Sequence, residues 1–192
     1  MLLIINLKKY KRGKNLLELI KKIKKYKPKA VIGILPKDVN KIKGKKFSQY
    51  YTKKEEMKKF KGIFLNHSDY PLKFDKLKKQ VNESKKLGLK VLVFSPNLAH
   101  VRKVKKIKPW AIAYEDKKLI GTGRSITTYK ANTVKEFGKI MKGSGIIPVC
   151  GAGISNKEDI KAAKKLGCEG VAISSAVAKG SLKKAERFLK GI

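Results

Sequence analysis

Short apolar, β-branched runs recur along this chain at residues 2–5, 30–35, 46–51, 62–65, 90–94, 110–114, 146–150 and 170–173, separated by lysine-rich stretches. Eight runs divide the 192 residues into units of about 24. Strands alternating with helices pair in parallel, because a parallel connection has to cross back over the sheet. Strands that are apolar almost throughout, rather than at alternate positions, are covered on both faces. Together these features predict a compact α/β chain, a (β/α)8 barrel in one domain over residues 1–192, below the usual size of roughly 250 residues.

The intervening stretches carry helical spacing. Leu16, Leu17, Leu19, Ile20 and Ile23 form one stripe, and Lys21, Lys22, Lys24 and Lys25 largely fall outside it. A second helix is predicted over 71–87, with Leu72, Leu77, Val81 and Leu87 inward and Gly88 as its stop. A third, near 156–166, opens on Ser155-Asn156-Lys157-Glu158, a capping-box pattern with Ser155 as the cap. Segments 37–44 and 53–60 offer only short, charged helices.

The charge is lopsided: 49 lysines and arginines face 14 acids, for a net charge of +35. Only Arg12, Arg102, Arg124 and Arg187 are arginine. Sequence-specific nucleic-acid readers favour arginine for bidentate base contacts, so nucleic-acid binding is expected to be non-specific at most. With so few acids, ion-pair networks explain little of the excess. Compositional drift on solvated helix faces, steering of anionic substrates and loose association with a polyanion all remain open. The opening apolar run breaks at Asn6 and Lys8, far short of the ~20 residues that span a bilayer, so a soluble, cytoplasmic protein without membrane association is expected. Cys150 and Cys168 lack metal-ligand spacing and read as free buried thiols. Tyr50, Tyr51 and Trp110 read as core or rim packing, and His100 as a surface or packing residue on a helix.

In such a barrel the active site gathers at the carboxyl ends of the strands. Those ends carry Asn6 and Lys8, then Asn66-His67-Ser68-Asp69, then Glu115, then Cys150 to Ser155, then Ser174-Ser175-Ala176. A carboxylate leaving a buried strand ahead of Gly121-Thr122-Gly123 suggests chemistry under a mobile cover.

Several of these segments, in order, resemble the triosephosphate isomerase family, particularly its compact archaeal branch. Asn6-Leu7-Lys8 is similar to the family's Asn-x-Lys, and Asn66-His67-Ser68 to its (Gly/Asn)-His-Ser. Ala113-Tyr114-Glu115 and Ile120-Gly121-Thr122-Gly123 are similar to its catalytic strand and lid, and Gly151-Ala152-Gly153-Ile154-Ser155 to its seventh loop. The resemblance implies a metal-free, cofactor-free interconversion of two triose phosphates. It implies Glu115 as base and His67 as electrophile, neutral because it lies where a helix begins. Lys8 would supply fixed positive charge and Asn6 would keep the site in register. The phosphate would lie on the N–H groups of Gly121, Ser155, Ser175 and Ala176, under a lid over 116–127.

The chain also departs from that pattern. The long loop after the third strand, which in the family reaches into a neighbouring subunit, is absent: Ser48 to Thr52 runs directly into Lys53. A monomer or a non-classical oligomer is therefore expected. Asp69 stands where the family has Glu, which implies loss of its contact with Lys8. Asp116-Lys117 replaces the prolines after the catalytic Glu, which implies a looser hinge. Ala176 replaces a glycine, which adds a Cβ in the phosphate turn. These departures keep two alternatives open: a catalytically weakened phosphate-sugar-binding barrel, and a basic nucleic-acid-associated protein.

Overall fold

The computed structural model describes residues 1–192. The elements follow in the order β1 (Leu2–Asn6), α1 (Gly13–Tyr26), β2 (Val31–Ile34), a 3-10 turn (Pro36–Lys41), β3 (Phe47–Ser48), α2 (Lys54–Met57), β4 (Gly62–Leu65) and α3 (Phe74–Lys86). There follow β5 (Lys90–Ser95), α4 (Leu98–Lys106), β6 (Ala111–Glu115), a 3-10 turn (Lys117–Leu119), α5 (Ile126–Tyr129) and α6 (Ala131–Met141). The chain ends with β7 (Ile147–Gly151), α7 (Lys157–Lys165), β8 (Gly170–Ile173), α8 (Ser175–Ala178) and α9 (Leu182–Gly191). All eight strands are parallel and close in sequence order, with β1 pairing β8 from Leu2↔Gly170 to Ile5↔Ile173. The (β/α)8 barrel expected from the sequence is what forms.

Each strand serves two cores, as its continuous hydrophobicity requires. One set of positions points into the barrel, where Ile4, Phe47, Phe64, Leu92, Phe94, Ala111, Ala113, Val149 and Ala172 pack together. The alternate set points outward, where Ile5, Ile63, Val93, Ile112, Cys150 and Val171 meet the helices in a larger cluster. The inner cluster has to fill a narrow space, and it does so by pairing large rings with absent side chains. The Phe47 and Phe64 rings lie 5.7 Å apart, and Phe64 meets Phe94 edge-on at 5.8 Å. Gly33 and Gly62 make room for them: a Cβ at Gly33 would lie 2.1 Å from the Phe64 ring, and one at Gly62 2.4 Å from Phe47. Outside, α1 packs on α9 across a shared carboxylate, where Glu186 accepts from Lys22 and from the Tyr26 hydroxyl.

Three boundaries differ from the sequence expectation, each for a local reason. The run 46–51 yields only Phe47–Ser48 as strand, because the Ser48 hydroxyl donates to Tyr50 O at 2.6 Å and turns the chain. The helix expected from residue 71 starts at Phe74, because the backbone stays extended at Lys73 (φ −62°, ψ 146°), with the Leu72 N–H bonded to the Asn66 side chain. Asn156, not Ser155, caps α7, with its Oδ1 accepting from Asp159 N–H at 2.8 Å. The link 49–53 between β3 and α2 is as short as the sequence indicated. No helix is long and apolar enough to cross a membrane. Cys150 and Cys168 are free and buried.

Gly33→Ala is expected to destabilise the barrel by about 1–3 kcal/mol through overpacking against Phe64, read as a lowered urea midpoint. An unchanged midpoint would contradict this account of the inner core.

Candidate active site

The site is assembled from two tight turns, each held by an asparagine. After β1 the backbone swings into the left-handed region at Lys8 (φ 46°), a conformation costing roughly 1–2 kcal/mol for a residue with a Cβ. Asn6 offsets this cost by accepting the Lys8 N–H on Oδ1 at 3.1 Å. The Asn6 carbonyl in turn accepts the Ser174 hydroxyl at 2.7 Å, which ties the exits of β1 and β8 together. After β4, Asn66 is left-handed as well (φ 58°), a conformation Asn tolerates better than most residues. Its Nδ2 donates to Phe94 O at 2.9 Å and its Oδ1 accepts from Leu72 N–H at 2.8 Å. The loop carrying His67 is thus clamped at both ends. In the sequence, Asn66 is marked for this task only by its place at the exit of a buried strand.

His67 is 3% exposed and edge-on to Phe94. Its Nδ1 accepts the Asp69 N–H at 3.1 Å, so the proton of the neutral ring is assigned to Nε2. Nε2 lies 3.4 Å from Glu115 Oε2. Burial, and after it the Lys8 ammonium, lower the His67 pKa to about 4, against a smaller opposing pull from the Asp69 carboxylate. That carboxylate is 3.6 Å from Nδ1, but it is half exposed and engaged with Lys8, so burial prevails. The expectation that a helix start keeps His67 neutral is corrected: α3 begins at Phe74, and burial with Lys8 does the work.

Lys8 is almost fully enclosed, its Nζ 3.1 Å from Asp69 Oδ2. The shorter side chain of Asp69 therefore keeps the contact with Lys8 that its length was expected to lose. Glu115 closes β6 opposite Gly151, with its side chain 10% exposed. Burial pushes its pKa up to about 7; Lys8 opposes the rise and Asp69 adds to it. A carboxylate poised near neutrality, facing the N–H of an imidazole that stays neutral, forms a pair able to take up one proton and donate toward another atom.

Asn6, Lys8, His67 and Glu115 line a single cavity, together with Tyr10, Phe94, Ile120, Gly121, Ser174 and Ser175. Its volume is about 30 Å³, room for one or two waters. Of residues 116–127, Ile120 and Gly121 line it. Leu119 is buried in the outer core, and Asp116 caps the 3-10 turn by accepting the Lys118 N–H at 2.9 Å. Asp116 also lies 3.7 Å from Lys130 Nζ, so the hinge residue expected to loosen the lid makes contacts at its base.

The expected phosphate contacts divide. Gly121 and Ser175 border the cavity, while Ser155 and Ala176 line an adjoining cleft of about 890 Å³ that shares Gly121 and Ser175 with it. The N–H groups of Ser175 and Ala176 begin α8, where no intrahelical acceptor exists. The Ala176 methyl packs against the outer core. Ser155 is engaged elsewhere: its N–H and hydroxyl both donate to Asp159 Oδ2, at 2.8 and 3.3 Å. Gly153 is required where it stands, since a Cβ there would meet Arg124 O at 1.9 Å. His100 does more than pack, because its Nδ1 lies 3.0 Å from the Ser95 hydroxyl at the end of β5.

Fold and site together define a parallel β/α barrel in which a carboxylate and an imidazole face each other at the carboxyl ends of its strands. A sequence model of the triosephosphate isomerase family matches residues 82–190, more than half of the chain, which belongs to that family. Among similar proteins are the triosephosphate isomerases of Pyrobaculum arsenaticum, 37% identical over 62% of this chain and 54% of that protein, and of Methanocaldococcus jannaschii, 39% identical over 62% and 55%. The chain thus spans about half the length of the relatives it matches. Solved structures with the same fold include the tryptophan synthase A-subunit of Pyrococcus furiosus, with a TM-score of 0.72 at 11% identity, covering 99% of this chain and 96% of that one. The family match includes Glu115 but neither Lys8 nor His67; the barrel geometry is what unites them.

Because the Lys8 ammonium lowers both pKa values, Lys8→Met should raise that of His67 above about 4 and that of Glu115 above about 7. Both titrations are readable by NMR of the labelled side chains. Two unmoved titrations would place Lys8 outside the pair's field.

Proposed function

We propose that this chain is a triosephosphate isomerase, interconverting D-glyceraldehyde 3-phosphate and dihydroxyacetone phosphate through an enediolate. The supporting observation is the 3.4 Å approach of His67 Nε2 to Glu115 Oε2, beside the enclosed Lys8 ammonium. In this reading the Glu115 carboxylate removes a proton from the carbon next to the carbonyl. The electron pair left behind forms the enediolate, whose negative oxygen is stabilised by the His67 N–H and by Lys8. The proton held by Glu115 returns to the neighbouring carbon, and His67 shuttles the hydroxyl proton between the two oxygens. A neutral imidazole suits this task, since it donates without having to give up a full positive charge.

The lid excludes water while the enediolate exists, and exposure would favour loss of phosphate instead. A cavity of about 30 Å³ does not by itself hold a triose phosphate, and outward movement of residues 116–127 would open it toward the adjoining cleft. The backbone N–H groups of Gly121, Ser175 and Ala176 are the proposed phosphate donors. Ser155 joins them only when its N–H is released by Asp159. The short link 49–53 supports a monomer or a non-classical oligomer.

A second reading, a barrel that binds phosphorylated sugars with weakened catalysis, is favoured by the engagement of Ser155 with Asp159. Phosphoglycolate, which mimics the enediolate, separates the two, because only a site complementary to the transition state binds it much more tightly than substrate.

Glu115→Gln is expected to lower kcat by roughly 10²–10⁴-fold in a coupled assay, with phosphate binding nearly intact. In the parent protein kcat/KM should rise with pH through about 7, as Glu115 ionises. Undiminished turnover in the variant would remove Glu115 from the mechanism.

A further inference from the structure

The end of the barrel remote from Glu115 and His67 holds a feature that the isomerase reading leaves unused. Around the strand entrances lies a cavity of about 640 Å³ lined by Lys24, Lys29, Lys45, Lys61, Lys90 and Trp110, with no carboxylate among its lining residues. All five lysines are exposed, and none takes part in an ion pair. The sheet itself brings Lys61 and Lys90 side by side, next to Lys46. The Lys61 N–H bonds to Lys46 O and the Lys90 N–H to Lys61 O, so successive strands open on lysines roughly 4.8 Å apart in the pairing direction. Crowding of like charge shows at Lys46, whose pKa is lowered by burial and then by Lys24.

Trp110 gives this basic floor a planar surface. Its ring is half-buried and packs against Phe47 at 5.7 Å, and the Lys90 ammonium lies over it, 4.9 Å from the centroid. A ligand that carries both a row of anions and flat π-faces satisfies every group present: the anions relieve the lysine repulsion, and a base can take the place of the Lys90 ammonium on the ring. A simple anion would use the lysines and leave the ring idle.

We propose that this floor of the barrel binds single-stranded nucleic acid without sequence preference, with phosphates on the lysines and one base stacked on Trp110. The scarcity of arginine fits a surface that reads backbone charge and not base edges. The proposal is independent of the isomerase reading, because the floor and the catalytic cavity share no residue.

Trp110 is the single tryptophan of the chain, so its fluorescence reports on this face alone. Titration with an oligothymidylate about 12 nucleotides long should quench it, with log K falling against log salt by about 0.7 per phosphate neutralised. The triple substitution Lys29→Glu, Lys45→Glu and Lys61→Glu should weaken binding at least about tenfold and flatten that slope by about 2. These positions are exposed, so folding persists, as circular dichroism verifies, and turnover of triose phosphate should be unchanged. A control with Lys76→Glu, Lys78→Glu and Lys79→Glu on α3 makes the same number of reversals elsewhere and should keep the quenching and most of the affinity. Equal losses in the two triples would reduce the interaction to diffuse charge and overturn the proposal. So would polyglutamate that quenches Trp110 as strongly as the oligonucleotide does.

Discussion

The pairing of β1 with β8 is the constraint on which the remainder rests. Without it the sheet is an open ribbon, and Asn6 and Lys8, at one end of the chain, lie far from Glu115 and Ser175. With it, Leu2 to Ile5 align against Gly170 to Ile173, and the Ser174 hydroxyl fastens onto the Asn6 carbonyl just beyond the last paired residues. The narrow interior that closure demands is met by ring against glycine, Phe64 against Gly33 and Phe47 against Gly62. Site and core are therefore two consequences of the same ring of strands.

Within the site, charge is arranged to keep two protonation states apart. His67 lowered from 6.5 to about 4, and Glu115 raised from 4.5 to about 7, each correspond to a bias on the order of 3 kcal/mol toward the neutral form. Burial supplies most of both, and Lys8 acts on them in the same direction, favouring neutral His67 and charged Glu115. The Lys8–Asp69 pair contributes little to stability, since desolvating the ammonium offsets most of its attraction to a half-exposed carboxylate. Its value is positional: it holds a fixed positive charge beside the place where negative charge would develop.

Much of this was legible in the sequence because it rests on periodicity and on residue type at strand exits. Eight apolar runs led to eight strands, and of the polar residues at their ends Asn6, Lys8, His67, Glu115, Ser174 and Ser175 meet in one cavity. What the sequence left hidden depends on hydrogen bonds between segments. Nothing in Ser155-Asn156-Lys157-Glu158 says that Asp159 reaches back to occupy Ser155, and the shorter Asp69 suggested a lost contact because the position of the Lys8 backbone was unknown. The cause of neutrality at His67 was misplaced for a similar reason: Lys73 stays extended and α3 starts only at Phe74. The lysine excess was readable only as a total. Its local concentration around Trp110 becomes visible once the strand entrances are brought side by side.

Hydrogen exchange into dihydroxyacetone phosphate tests the central claim most directly, that Glu115 and His67 form one acid–base unit over a three-carbon substrate. In deuterated water, proton NMR should show deuterium entering a single prochiral position at the carbon that carries the free hydroxyl group, at a rate set by the protein. Incorporation no faster than in buffer alone, with the phosphate compound demonstrably bound, would contradict the account.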